Sequence, residues 1–550
     1  HNLQHGHQGF MLETIQDNKL LHQLLGINQQ NVNIRRARRY WHGRVLGNRL
    51  RKGDNSENVT DFYDLVEPRG LQRAFVTTFT HHPQMIPLLF GEALKSDTFQ
   101  ELILVDHYDT DRDTSGMRPY PTPMWFPGAE KIQYVFPFFR IKSKYGIQHA
   151  KLMLLRYPER LRVVVSSTNL DDIDSILEDR AGGSQVFFVA DVRVSANDGN
   201  VQNNSKKKST NVSNCCFCKS LINFLNELRP FHSDNDSMNE RSNKLYDIWT
   251  NDLKLHFNFD DISKVFQIVA SVPGYHPIHS VTSNSRVDNC YSELYGLARL
   301  QELSSIFPQE KIINGKKKVV LHGEAQSSSV GRLNMGYWGD IARSCNVAVQ
   351  YMRYVWPSDR QLLANENIHG LGMLCSPTGS MQPWMKNHLV SLRVPKERSK
   401  SLLHAKTLVA YYTEPNLKGS RNSNSNVEDD YDSSLDKSSF DNTPNEHESS
   451  TYVNNNGKSI KSVEYAWMYV GSHNCSGNAW GRYCTFKDRS EKINCSSFEL
   501  GVFVTGRQQL SEASLPVIVP SYPYNHPDSR SIDGTITRLG QVMMQHYCTK

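Results

Sequence analysis

Cysteine is scarce in this chain: ten in 550 residues are too few for a disulfide scaffold. Three of them sit in Cys215-Cys216-Phe217-Cys218, but no second Cys/His pair follows at zinc spacing, so this cluster reads as structural and no metal is assigned to it. Long apolar runs are also missing. No stretch approaches the ~20 residues that a membrane-spanning helix needs, which argues against a membrane partner. No charge of one sign dominates either, with 62 Lys and Arg against 56 Asp and Glu, and the net +6 permits a nucleic-acid partner without demanding one. The chain opens on His1 instead of Met, so it is expected to be a fragment, and neither a signal peptide nor a genuine N-terminus is read from it.

What is present is enough for globular cores: 38% hydrophobic residues, including 24 Tyr, 23 Phe and 8 Trp. A mean hydropathy of −0.54 implies sizeable polar insertions beside them. At this length two or more domains are expected. Among 21 histidines, His149-Ala150-Lys151 and His404-Ala405-Lys406 are the only His-x-Lys triplets, and they share their middle residue. Each opens an apolar run with strand character, Leu152 to Leu155 and Thr407 to Tyr412. In a strand, residues i and i+2 project from one face, so each triplet aims an imidazole and an ammonium in one direction. Each strand is followed by another that ends in small hydroxyl or Gly residues and then an Asn: Arg162 to Asn169, and Ala466 to Asn474. An Asn amide is a neutral donor for phosphate oxygens. The chain therefore reads as a degenerate repeat, each copy supplying His, Lys and Asn to a symmetric oxyanion clamp.

Organisation along the chain fits an α/β rhythm. Residues 1–60 form a polar and basic N-terminal segment in which Arg35 to Arg44 interleaves basic and aromatic residues, as phosphate and base stacking would use or a solvated basic face would carry. Ala74 to Phe79 and Glu101 to Asp106 read as buried strands. The tract 195–214, with Lys206-Lys207-Lys208, reads as an insertion low in apolar residues. Leu221, Phe224, Leu225 and Leu228 then mark the core face of a helix, Phe266 to Ala270 a strand closing the first half, and Lys318 to Leu321 the restart of the second. A second, acidic insertion covers 414–461. Twenty positions separate His149 from Asn169 and seventy separate His404 from Asn474, yet loop-closure cost grows only logarithmically with length, so the two strands can still pair.

These residues resemble the phospholipase D superfamily. Its usual motif carries an Asp five residues after the Lys, where this chain has Arg156 and Tyr411. That departure matches the tyrosyl-DNA phosphodiesterase branch, which replaces the Asp and uses the downstream Asn. The resemblance runs with gaps from about residue 43 to the C-terminus. It rests on Tyr145-Gly146, Ser184-Gln185, Ser271 to Gly274, Gln326 to Gly331, Trp356-Pro357-Ser358, Asn474 to Gly481 and Phe498 to Gly501. It implies two phospholipase D-like α/β domains, 61–300 and 301–550, each a mixed sheet flanked by helices, related by a pseudo-twofold with both triplets at the interface.

The resemblance also implies a reaction: hydrolysis of the bond between a DNA 3′ end and a topoisomerase I tyrosine, or another 3′ adduct. His149 would be the nucleophile and form a covalent phosphohistidine. His404 would start protonated and serve as general acid, then base; an unperturbed imidazole, titrating near pH 6.5, makes both roles accessible. Lys151, Lys406, Asn169 and Asn474 would hold the non-bridging oxygens, with Ser328 as a further donor and no metal or other cofactor. Gln185 and Glu499 would orient the histidines, with the pairing expected to cross between halves. Tyr145, Phe79, Ser329 and Ser476 would contact DNA, single-stranded or duplex. A nuclear monomer without membrane attachment is implied. Asn474-Cys475-Ser476 is also a glycosylation sequon, and sugar there would cover the clamp, which favours an intracellular setting. Two other readings stay open: a nuclease or phospholipase of the same superfamily, and a catalytically silent DNA-end binding module.

Overall fold

The computed structural model describes residues 40–49, 59–81, 85–107, 116–119, 128–139, 146–170, 183–195, 215–230, 237–278, 294–313, 315, 317–331, 333–357, 383–395, 398, 401, 403–413, 452–453, 459–460, 463–487 and 489–523. Tyr145, residues 35–39 of the basic segment, Lys206 to Lys208 and nearly all of both insertions lie outside them.

Two nine-stranded mixed sheets organise the described residues. The first contains β1 (Arg44–Asn48), β2 (Val59–Thr60), β3 (Arg73–Thr77), β4 (Glu101–Val105), β5 (Gly116–Pro119), β6 (Ile132–Phe136), β7 (Leu152–Arg156), β8 (Arg160–Ser166) and β9 (Val186–Arg193), in the order β2-β1-β9-β8-β7-β3-β4-β6-β5. Then come β10 (Phe266–Ser271), β11 (Gly274–Pro277), β12 (Glu310–Ile313), β13 (Lys317–Gln326), β14 (Met352–Trp356), β15 (Leu389–Ser391) and β16 (Thr407–Thr413). The last are β17 (Tyr452–Val453), β18 (Ser459–Ile460), β19 (Glu464–Gly471), β20 (Arg482–Thr485), β21 (Glu491–Cys495), β22 (Glu499–Val504) and β23 (Tyr522–Pro523). The second sheet runs β10-β22-β19-β16-β13-β14-β15-β23, with β12 paired to β13.

Eight strands of each sheet repeat those of the other. The series β1-β9-β8-β7-β3-β4-β6-β5 corresponds to β10-β22-β19-β16-β13-β14-β15-β23, and every neighbouring pair has the same sense. The pairs β3-β4 and β4-β6 are parallel, as are β13-β14 and β14-β15, and the rest are antiparallel. Phe266 to Ala270, read from sequence as closing the first half, is thus an edge strand of the second sheet, since β1 already fills the equivalent position in the first.

Register explains how twenty and seventy residues give one geometry. Leu152 faces Val165 in the first copy and Thr407 faces Val470 in the second, so each lysine precedes its pairing strand by one step. The Ser166 N–H donates to the Lys151 carbonyl at 3.1 Å, and the Gly471 N–H donates to the Lys406 carbonyl at 3.3 Å. The ladder between β16 and β19 slips only at Ala410/Tyr411, towards the end where the insertion departs. A bulge there absorbs the extra chain without moving the site end.

Apolar runs such as LMLLR and RLRVVVS are buried on both faces, as strands covered from both sides must be. One face of the first sheet packs on the helix Met85–Leu94, whose buried Met85, Ile86, Leu89, Phe90, Ala93 and Leu94 recur at helical spacing. The other face meets the helices Cys216–Glu227 and Ser237–Leu255 in a core continuous with the second sheet. Leu221, Phe224, Leu225 and Leu228 are all fully buried there. The Cys215 sulfur caps the first of these helices by accepting from the Cys218 N–H at 3.3 Å. Trp41, in the basic segment, belongs to the core, and its backbone N–H donates to Asp191 Oδ2 at 2.9 Å.

The same Asp191 receives Arg162 in a buried two-pronged pair, Nε to Oδ1 at 2.8 Å and Nη2 to Oδ2 at 2.9 Å. Arg162→Ala would remove both prongs of this buried pair and leave the carboxylate only the Trp41 backbone N–H and Arg160 Nε at 3.6 Å, so the variant should be less stable in urea titration by about 3 kcal/mol. A loss below about 1 kcal/mol would mean the pair behaves as a surface bridge.

Candidate active site

Both triplets stand where the two sheets meet. The His149 N–H donates to the Phe498 carbonyl and the His404 N–H to the Ser184 carbonyl, each at 2.9 Å. Each triplet is therefore pinned by the other half of the molecule, to the residue just before a polar side chain that reaches its ring. His149 Nδ1 lies 3.0 and 2.9 Å from the two Glu499 carboxylate oxygens. His404 Nδ1 lies 2.9 Å from Gln185 Nε2 and 3.1 Å from Gln185 Oε1.

Two serines complete the symmetry, and sequence reasoning did not single them out. The Ser472 hydroxyl donates to Glu499 Oε2 and accepts from the Leu500 N–H at 3.0 Å. The Ser167 hydroxyl donates to Gln185 Oε1 at 2.8 Å and accepts from the Val186 N–H at 3.0 Å. Each serine lies two positions before the Asn of its copy, a signal that superposing the two copies as Ser-x-Asn would have exposed.

The lysines are buried beside the histidines, Lys151 at 2% and Lys406 at 0% exposure. Lys151 Nζ donates to the His149 carbonyl at 2.6 Å. Lys406 Nζ donates to the carbonyls of His404 at 2.9 Å and Ser167 at 3.2 Å, and lies 3.3 and 3.1 Å from His404 Nδ1 and Nε2. Each ammonium also acts on the histidine of the opposite copy, so the four groups share one electrostatic environment.

That environment bears on the protonation of both rings. Burial, then Lys151 and Lys406, hold His149 well below the usual imidazole range. Burial, then Lys406, Lys151 and His149, do the same to His404. In the absence of an anion the same groups favour the neutral form of both rings. Glu499 is raised above the ordinary carboxylate range by burial, against the pull of His473, Lys151 and Ser472. The consistent arrangement keeps the proton on His149 Nδ1, donated to Glu499, which leaves the Nε2 lone pair available.

Other residues are placed more loosely. Asn474 Oδ1 accepts from the buried Ser328 hydroxyl at 3.2 Å. The loop around Ser329 is held to this segment by the Cys475 N–H donating to Ser327 Oγ at 3.0 Å and the Gly331 N–H donating to the Cys475 carbonyl at 3.0 Å. Ser476 caps the short helix Gly477–Trp480. Asn169 is half-buried two residues beyond Ser167. Phe79 packs edge-on against His149 at 5.5 Å and tilted against His107 at 5.0 Å. His473 is structural: buried, 2.9 Å from Ser271 Oγ, and pushed by burial down to about 3. Among the described residues no three His, Cys, Asp or Glu form a group able to hold a metal ion, and no helix is long and apolar enough to cross a membrane.

Two buried lysines beside two imidazoles that favour the neutral form can hold an anion, and its binding would be linked to protons. An anion there favours the protonated rings, so the bound state holds more protons and affinity must rise as pH falls. Sulfate, doubly charged throughout, should bind tighter from pH 7 to pH 5 by up to about tenfold per pH unit for each proton taken up. Calorimetry in buffers of different ionisation enthalpy reads both quantities, and pH-independent affinity would contradict the neutral-ring assignment.

A family model described as tyrosyl-DNA phosphodiesterase matches residues 47–340 and 393–530. The chain is similar in fold to the crystal structure of the yeast tyrosyl-DNA phosphodiesterase, with TM-score 0.53 and 12% identity over 88% of this chain and 98% of that one. It is similar too to a histidine-to-asparagine mutant of the yeast enzyme, with TM-score 0.52 and 13% identity over 88% and 98%. No curated protein matches the chain in sequence.

Proposed function

Because the chain belongs to the tyrosyl-DNA phosphodiesterase family, whose members are phosphodiesterases of DNA repair, we propose that it hydrolyses the bond between a DNA 3′ end and a tyrosine left by topoisomerase I, and other 3′ adducts, through a covalent phosphohistidine on His149. The observation that carries the assignment of roles is the crosswise pairing, His149 with Glu499 and His404 with Gln185. A carboxylate only accepts hydrogen bonds, so it keeps Nδ1 of His149 protonated and stabilises the cation formed when Nε2 bonds to phosphorus. An amide both donates and accepts, so Gln185 can follow His404 whether its Nδ1 is protonated or bare. A residue that must lose and regain a proton needs such a partner.

In the first step His149 Nε2 bonds to phosphorus as the bond to the tyrosine oxygen breaks, and His404 passes its proton to that oxygen. A phenol, with pKa near 10, leaves far more easily than the DNA sugar alkoxide, which fixes the bond that breaks. The anionic substrate offsets Lys151 and Lys406 and so supplies the condition under which His404 holds a proton. In the second step His404 takes a proton from water, the water oxygen bonds to phosphorus, and the bond to His149 breaks, leaving a DNA 3′-phosphate. Lys151, Lys406, Asn169, Asn474 and Ser328 hold the non-bridging oxygens, and Phe79, Tyr145, Ser329 and Ser476 contact the DNA. The two ammoniums supply the positive charge that a metal would otherwise bring. The enzyme acts as a monomer, in the nucleus, on single-stranded or duplex ends.

Turnover of a 3′-phosphotyrosyl oligonucleotide should persist in excess chelator, with kcat reduced about 100-fold or more in Lys406→Ala. Well-folded protein that leaves the oligonucleotide intact under these conditions would sink the proposal.

A further inference from the structure

We propose that the outer face of the small sheet β11-β21-β20 is a second nucleic-acid contact, taking the single DNA strand that leads away from the scissile phosphate; this rests on the reading of DNA as substrate. The register sets Tyr275, Asn494 and Arg482 side by side across the three strands, with Pro277, Lys492 and Cys484 as the next row. The alternate row, His276, Ile493 and the partly covered Tyr483, faces inward. Outward, Tyr275 is 49% exposed and Phe486 38%, and their rings meet edge-on at 5.3 Å. Lys492 Nζ stands 5.4 Å from the centroid of the Phe486 ring. Two large aromatic rings left in water against each other, with a cation over one, form a platform for stacked bases.

Charge and backbone agree. From Arg482 to Cys495 the basic Arg482, Lys487, Arg489 and Lys492 outnumber the acidic Asp488 and Glu491. At the tip, the Phe486 N–H donates to the Ser490 carbonyl and the Arg489 N–H to the Phe486 carbonyl, both at 2.9 Å. Arg489 holds φ at 64°, left-handed backbone that Gly or Asn would adopt at lower cost. The turn thus keeps an exposed guanidinium where an uncharged residue would be easier.

The ribbon is seated on the active site. It starts after Gly481, whose φ of +86° and 2.6 Å clearance from Ile493 Cγ1 to an added Cβ admit no side chain. That glycine ends the helix capped by Ser476. The ribbon finishes at Cys495, four residues before Glu499, so the Cα atoms of its foot and of Glu499 lie within ~14 Å even with the link fully extended. A stacked strand rising ~3.4 Å per nucleotide covers this in about four nucleotides. Arg482 lies 5.3 Å over the buried Tyr337 ring, whose hydroxyl donates to the Ser476 carbonyl at 3.0 Å, which ties the foot of the ribbon to the segment that carries Ser476.

The test compares the full chain with Tyr275→Ala/Phe486→Ala, two exposed positions outside the reaction machinery. Fluorescence anisotropy reads affinity for a labelled single strand of about twelve nucleotides ending in a 3′-phosphate. Turnover of thymidine 3′-(4-nitrophenyl phosphate), too short to reach the ribbon, reads the active site alone. The variant should bind the oligonucleotide roughly fivefold or more weakly and hydrolyse the small ester at the wild-type rate. Unchanged oligonucleotide affinity overturns the proposal, as does an equal loss on both probes. A wild-type protein that binds through the ribbon but leaves the ester intact would instead sink the phosphodiesterase reading while the contact stands.

Discussion

The proposed active site depends on one reciprocal interaction: the imidazole of each His-Ala-Lys triplet is oriented by a side chain from the opposite half. His149 is carried by the first sheet and held by Glu499 at the start of β22; His404 is carried by the second and held by Gln185 just before β9. Neither half alone contains an oriented histidine. Docking the sheets through a shared core is therefore also what assembles the chemistry, and the matching backbone bonds to Phe498 and Ser184 fix the interface to the same residues that fix the rings.

Within this symmetric frame the difference between the copies is small and chemical. Ser167 matches Ser472, Asn169 matches Asn474, and Lys151 matches Lys406, but an amide stands opposite a carboxylate. Two identical His-Ala-Lys triplets can then do unequal work. Burial, together with the two buried lysines, adds a second constraint, because it disfavours the protonated form of both rings. In the proposed reaction, affinity for the substrate phosphate and readiness of the acid are thus one property of the site.

Sequence made the repeat legible because strand periodicity sets His and Lys on one face whatever follows. The topology was less accessible. A separation of seventy residues hides the fact that Gly471 meets Lys406 as Ser166 meets Lys151, and nothing local to Phe266–Ser271 reveals which sheet it joins. Glu499 and Gln185 were reached through resemblance alone, since a carboxylate ahead of an apolar strand has no distinguishing local pattern. Protonation could not be read at all, because an imidazole's pKa is set by burial and by charges distant in the chain. Ser167 and Ser472 stood at matching offsets, yet serine at a strand end is too common to draw notice. Trp41 misled in the other direction, its basic neighbours suggesting a surface role for a residue that the core takes.

The central claim is that the carboxylate partner makes His149, and not His404, the nucleophile. Turnover of a 3′-phosphotyrosyl oligonucleotide quenched in alkali, which preserves phosphohistidine, followed by peptide mapping by mass spectrometry, locates the adduct directly. The account predicts nucleotide on the peptide containing His149. Nucleotide on the peptide containing His404 would contradict it.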